Sequence, residues 1–60
     1  MALSKNPFVL LSIVNTKLRD FYSNLDELCD DLDEDKIEIT NILESIGYIY
    51  NEVNNQFIKK

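Results

Sequence analysis

The sixty-residue sequence has no histidine and no tryptophan, and it has one residue each of cysteine, glycine, proline and methionine. Without histidine the chain lacks the commonest metal ligand and the commonest general base near neutral pH. A single cysteine, Cys29, cannot form an intrachain disulfide, and a lone thiol fits a reducing, cytosolic setting. Internal repeats and low-complexity linkers are missing too, so the length reads as one domain, 1–60. No apolar run exceeds Phe8–Leu11, far short of the ~20 residues that a membrane-spanning helix needs. Lys5 followed by FVLLSIV has the outline of a secretory leader, but Pro7, Ser12 and Asn15 interrupt it and no small-x-small cleavage site follows. The expected location is cytoplasmic.

What is present points to a small folded protein. Apolar residues make up 45% of the chain, with three Tyr and three Phe, a composition that argues against disorder. A chain this short buries only about 60% of its unfolded surface, so its stability is expected to be marginal, and self-association is one way to enlarge the core. The net charge is −5. Eight of the eleven acids fall between Asp26 and Glu38, together with one base, Lys36. That balance disfavours nucleic-acid backbones and anionic membranes as partners.

The spacing predicts a mainly α fold, a three-helix, helix-turn-helix-like bundle with a short C-terminal β-hairpin. Residues 1–5 read as a loose lead-in. Asn6-Pro7 is a helix start, an N-cap followed by proline at the first helical position. A helix over about 7–22 presents Leu10, Leu11, Val14, Leu18 and Phe21 on one face. Asn24 then caps a second helix, about 25–32, with Glu27 at capping-box spacing and Leu25, Leu28, Cys29 and Leu32 as its stripe. Asp33-Glu34 makes the turn. Asp35 caps a third helix, about 36–46, whose stripe is Ile39, Ile42, Leu43 and Ile46, with Ile37 reaching back over the second helix. Gly47 sits where a left-handed helix-ending residue belongs. After it come strand formers, giving a hairpin of Tyr48–Tyr50 against Gln56–Ile58 within about 48–58, packed on Phe8 or Leu11.

Each candidate site has an ordinary structural explanation beside it. Phe8, Val9 and Ile13 lie off the apolar stripe of the first helix, so they are either wedged against the C-terminal segment or form a partner or homodimer surface. Tyr48 and Tyr50 share one face of the hairpin and either cover the core or anchor a partner. Asp31, Asp33 and Asp35 have the 1-3-5 spacing of a calcium loop. That loop fails where Lys36 replaces its glycine and Ile42 its bidentate glutamate, so no metal site is expected. Cys29 on an apolar stripe, with no activating base, reads as a core residue rather than a nucleophile. Paired carboxylates are plentiful, but acid–base work needs one of them buried in a cleft, and a core this small offers little of one. No catalytic residue and no cofactor is expected, and the chain does not read as an enzyme.

Two resemblances add to this. Leu28, Cys29, Leu32, Ile39 and Ile42 resemble the core positions of a helix-turn-helix unit, with GYIYN…NQFI in the place of a wing; Asp33 and Glu34 depart from the glycine and apolar residue usual in its turn. The resemblance implies DNA binding, yet a recognition helix over Asp35–Ile46 would carry Asp35, Glu38 and Glu44 against Lys36 alone. The blocks NPFVLLSIVNTKLRDFY, NLDELCDDL, DK and GYIYNEVNNQF resemble a small bacterial family of about sixty residues, the length of this chain, described only as a domain of unknown function. That resemblance implies a cytoplasmic bacterial protein and carries over no site residue. The expected function is a non-enzymatic protein–protein interaction or regulatory adaptor module, with an unidentified protein partner or a homodimer through the first helix. The alternative is a small DNA-binding regulator with an atypically acidic recognition helix.

Overall fold

A computed structural model describes residues 5–60. It contains α1 (Pro7–Asp20), α2 (Leu25–Leu32), α3 (Lys36–Glu44), β1 (Tyr48–Asn51) and β2 (Gln56–Lys59), three helices followed by a two-stranded antiparallel hairpin. The expected lead-in falls on residues 1–4, outside the described residues, and on Lys5, whose ammonium lies 3.5 Å from the Glu38 carboxylate.

The helix starts follow from their caps. The Asn6 side chain accepts from the backbone N–H groups of Phe8 and Val9, at 3.0 and 3.3 Å. Asn24 accepts from the Glu27 N–H at 2.7 Å, and the Glu27 carboxylate answers by accepting from Ser23 N–H and Oγ, at 3.0 and 2.9 Å. This is a reciprocal box displaced by one residue at its far side. Asp35 accepts from the Ile37 N–H at 2.9 Å.

The helix ends required left-handed backbone at two places. Asp33 takes φ 55° and ψ 47°. The Glu34 N–H then donates to the Cys29 carbonyl at 2.8 Å, and the Asp33 N–H to that of Asp30 at 3.4 Å, the paired bonds of a Schellman ending. An aspartate therefore performs the turn that a helix-turn-helix unit usually gives to glycine, and the α2–α3 turn stays tight. Gly47 has φ +83°, as its position implied.

One core is built from four of the five elements, and β1 packs against it. It comprises Leu10, Val14 and Leu18 from α1, Leu25, Leu28 and Cys29 from α2, Ile39 and Leu43 from α3, and Phe57 from β2. Leu11, Tyr22, Leu32, Ile42, Tyr48 and Tyr50 pack against it, half-buried.

Four expectations need correction. α1 ends at Asp20 rather than Tyr22, so Phe21 leaves the stripe and is 72% exposed, while Tyr22 swings back onto the core. α3 ends at Glu44 rather than Ile46, with Ser45–Gly47 forming the turn that Gly47 closes. Ile37 does not reach back over α2; it points outward at 69% exposed from the first turn of α3. Leu11 packs against the core, but Phe8 stays outside it, and the bonds that seat the hairpin fall one to three turns further along α1.

In the hairpin, Tyr48 pairs with Lys59, Ile49 with Ile58, Tyr50 with Phe57 and Asn51 with Gln56. The Lys60 N–H donates to the Gly47 carbonyl at 2.7 Å. Because hydrogen-bonded and non-bonded pairs alternate in an antiparallel ladder, that bond makes 49–58 and 51–56 the bonded pairs. The backbone N–H and C=O groups of Tyr48, Tyr50 and Phe57 therefore point outward from the edges. Tyr50 and Phe57 rings meet on the core face at 5.5 Å between centroids, and Ile49 and Ile58 pair on the opposite face.

Candidate functional site

The hairpin is seated by three polar side chains in a seam against α1. The Asn15 carboxamide faces β2 as a strand would: its Oδ1 accepts from the Phe57 N–H at 2.7 Å and its Nδ2 donates to the Phe57 carbonyl at 3.0 Å. The Gln56 amide donates to the Asn15 carbonyl at 2.9 Å. Asn55, in left-handed backbone at φ 53°, donates to the Leu18 and Tyr22 carbonyls, both at 2.9 Å, and so caps the C-terminal end of α1. The Tyr50 hydroxyl donates to Asn55 Oδ1 at 2.7 Å and accepts from the Leu25 N–H at 3.2 Å, tying the start of α2 to the end of α1. Among the described residues no buried side-chain polar atom lacks a partner. The seam was not foreseen from the sequence. Its one advance signal is an asparagine in a helix interior, where that residue is disfavoured unless its amide has a non-helical partner.

The five residues singled out as partner-binding separate into two groups. Phe8 and Val9 are 67% and 47% exposed, so they are not wedged against the C-terminal segment. Ile13, half-buried, lies one turn beyond Val9 on the same flank of α1. Tyr48 and Tyr50 are half-buried and their rings pack against the core, so what β1 offers outward is backbone and Ile49. Among the described residues, three further large apolar side chains stand in solvent: Phe21, Ile37 and Val53, the last 93% exposed at the hairpin tip. The Lys17 ammonium lies 5.8 Å from the Phe21 ring centre.

The acidic segment is largely exposed, and several of its groups are engaged with their neighbours. Lys36, the base within it, pairs with Asp26 at 2.9 Å, and that hydrogen bond raises the lysine pKa. Asp31 accepts from the Tyr22 hydroxyl, which raises the tyrosine pKa. Hydrogen bonds from Ser23, its backbone N–H first, hold the Glu27 carboxyl below its usual range. Burial pushes the Cys29 thiol up, reinforced by Asp26, which is the opposite of what a nucleophile requires. Asp31, Asp33 and Asp35 do not converge: they serve Tyr22, the left-handed turn and the α3 cap, and among the described residues no group of three or more potential metal ligands forms. A cleft of about 300 Å³ lies between the start of α2 and β1, lined by Asn24, Asp26, Lys36, Tyr50 and Glu52 among others. The Lys36–Asp26 pair and the Tyr50 hydroxyl are already bonded within it. Among the described residues no helix is long and apolar enough to cross a membrane.

No curated protein and no solved structure matches the chain. A family model does match, over residues 4–57, and the chain belongs to that family, described as Domain of unknown function (DUF4250).

Proposed function

We propose that this chain is a non-enzymatic protein–protein interaction or regulatory adaptor module of the bacterial cytoplasm, and that it presents the start of α1 to a protein partner. The observation that carries this is the exposure of Phe8 and Val9 on a helix whose core stripe, Leu10, Val14 and Leu18, is already fully buried. Large apolar side chains outside a satisfied core are candidate contacts, because burying each aromatic or branched side chain on binding contributes roughly 1.5–3 kcal/mol. The acidic surface from Asp26 to Glu38 favours a partner with basic residues around an apolar groove.

The DNA-binding alternative has the tight turn at Asp33 in its favour. Against it stands the charge of α3, where Lys36, the base that could meet phosphate, is paired with Asp26.

The test is affinity capture from the native host with the wild-type chain and with a Phe8→Ser/Val9→Ser variant whose helicity matches by circular dichroism. A protein recovered by the wild type, absent with the variant and bound again as purified components supports the reading. Recovery of the same proteins by both baits overturns it. Binding of random duplex DNA at low ionic strength, weakening as salt rises, would favour the alternative.

A further inference from the structure

We propose that the outer edge of β1 is a self-complementary pairing site, through which a second copy of this chain adds strand to strand and closes an antiparallel four-stranded sheet across a twofold axis.

The two edges of the hairpin are treated differently. On β2, the outward N–H and C=O of Phe57 are both taken by Asn15. On β1, the outward N–H and C=O groups of Tyr48 and Tyr50 have no hydrogen-bond partner among the described residues. An open strand edge is a template for pairing, and proteins that avoid it place proline, lysine, a bulge or a covering element there. β1, with sequence Tyr-Ile-Tyr-Asn, carries no proline, no charge and no bulge.

The open groups fit a second copy of themselves. They lie two residues apart, on Tyr48 and Tyr50. An antiparallel partner centred on Ile49 sets Tyr48 opposite the partner's Tyr50 and Tyr50 opposite the partner's Tyr48. In that register both are hydrogen-bonded pairs, and all four open groups of each copy are satisfied. Ile49 meets its own symmetry mate, so the half-buried Ile49–Ile58 pairs of the two hairpins join into one apolar row on the face away from each core. Charge also selects this place. Two copies at −5 repel, but residues 45–51 carry no charge, and the register places Glu52 opposite Ile46 rather than opposite another acid. The site lies apart from Phe8 and Val9, so a dimer built this way leaves the start of α1 free for a different partner.

Sedimentation equilibrium of the full chain from about 10 μM to 1 mM, paired with amide hydrogen exchange at the same concentrations, tests the proposal. The expected result is a reversible monomer–dimer equilibrium in which exchange at Tyr48 and Tyr50 slows at least about tenfold as the dimer fills. Ile49→Lys should shift the chain to monomer, and Phe8→Ser should leave the dimer intact. A chemically synthesised chain N-methylated at the Tyr50 amide removes one outward donor without altering a side chain, and it should also be monomeric. A monomer throughout the range overturns the proposal, as does a dimer whose Tyr48 and Tyr50 amides exchange as fast as in the monomer, or one that survives both Ile49→Lys and the N-methyl chain. Failure here leaves the α1 reading intact, because that reading rests on capture lost with Phe8→Ser/Val9→Ser.

Discussion

The residue on which the hairpin depends is Asn15. An isolated two-stranded hairpin is marginal in water, and this one gains Phe57 as a core side chain and Asn15 as a third-strand substitute. Asn15→Ala removes two hydrogen bonds and leaves the Phe57 N–H and C=O half-covered, so the expected loss is about 1–3 kcal/mol, read as a lower urea midpoint with unchanged slope. Tyr50→Phe is a narrower probe. The ring stays against Phe57, but the Leu25 N–H and Asn55 Oδ1 lose the hydroxyl that joins them, at a cost of about 1–2 kcal/mol. If the Asn15 variant melts like the wild type, the seam is a consequence of the hairpin's position and not its cause. Apart from the short Tyr50–Asn55 bond, these contacts join residues 25 to 42 positions apart, which is why they escaped the sequence: Asn15 read as an interruption of an apolar run, and Asn55 lay between the two strand-forming runs. Local signals were legible and distant side-chain partners were not.

At the level of elements, the helix boundaries were readable wherever a single side chain decides them. Asn6, Asn24 and Asp35 each cap the helix that the sequence assigned to them, because a cap acts within three residues. The C-terminal ends were less legible. α1 stops two residues early because Asn55, far along the chain, satisfies the carbonyls of Leu18 and Tyr22. The two left-handed residues give opposite expectations. Asp33 bears a Cβ at φ 55°, so Asp33→Gly should stabilise the α2–α3 turn by about 0.5–1 kcal/mol. Gly47→Ala should destabilise by a similar ~1 kcal/mol, and through backbone strain alone, because nothing lies within 4 Å of the added carbon. Thermal melts of the two variants decide it; equal and unchanged melting temperatures would mean that neither end holds its helix. The α2 cap also sets an acid limb. Glu27 titrates below its ordinary 4.5 because Ser23 donates to its ionised form. A depressed carboxyl contributes stability that is fully present above the unfolded value and is lost as pH falls through the folded one. Glu27→Gln should therefore flatten the decline in urea midpoint below about pH 4.5 relative to wild type.

For the whole molecule the governing quantity is charge. Eight acids crowd the segment from Asp26 to Glu38, and the ion pairs among the described residues, Lys36–Asp26, Arg19–Asp20 and Lys5–Glu38, all lie in solvent. Exposed pairs of this kind contribute little, whereas like charges held within a few turns of helix repel continuously. Salt weakens both effects, and the sign of its net action tells which is larger. Repulsion should win. Added NaCl should raise the melting temperature by about 4 °C or more, with most of the rise below about 0.2 M, where the screening length falls under about 10 Å. The same screening lowers the cost of bringing two copies at −5 together, so dimerisation through β1 should tighten over the same interval while the Tyr48 and Tyr50 amides stay the protected ones. A melting temperature that falls with salt would assign the stability to the ion pairs. One that climbs only above 0.5 M would reflect a general salting-out of apolar surface instead of relief of the acidic face.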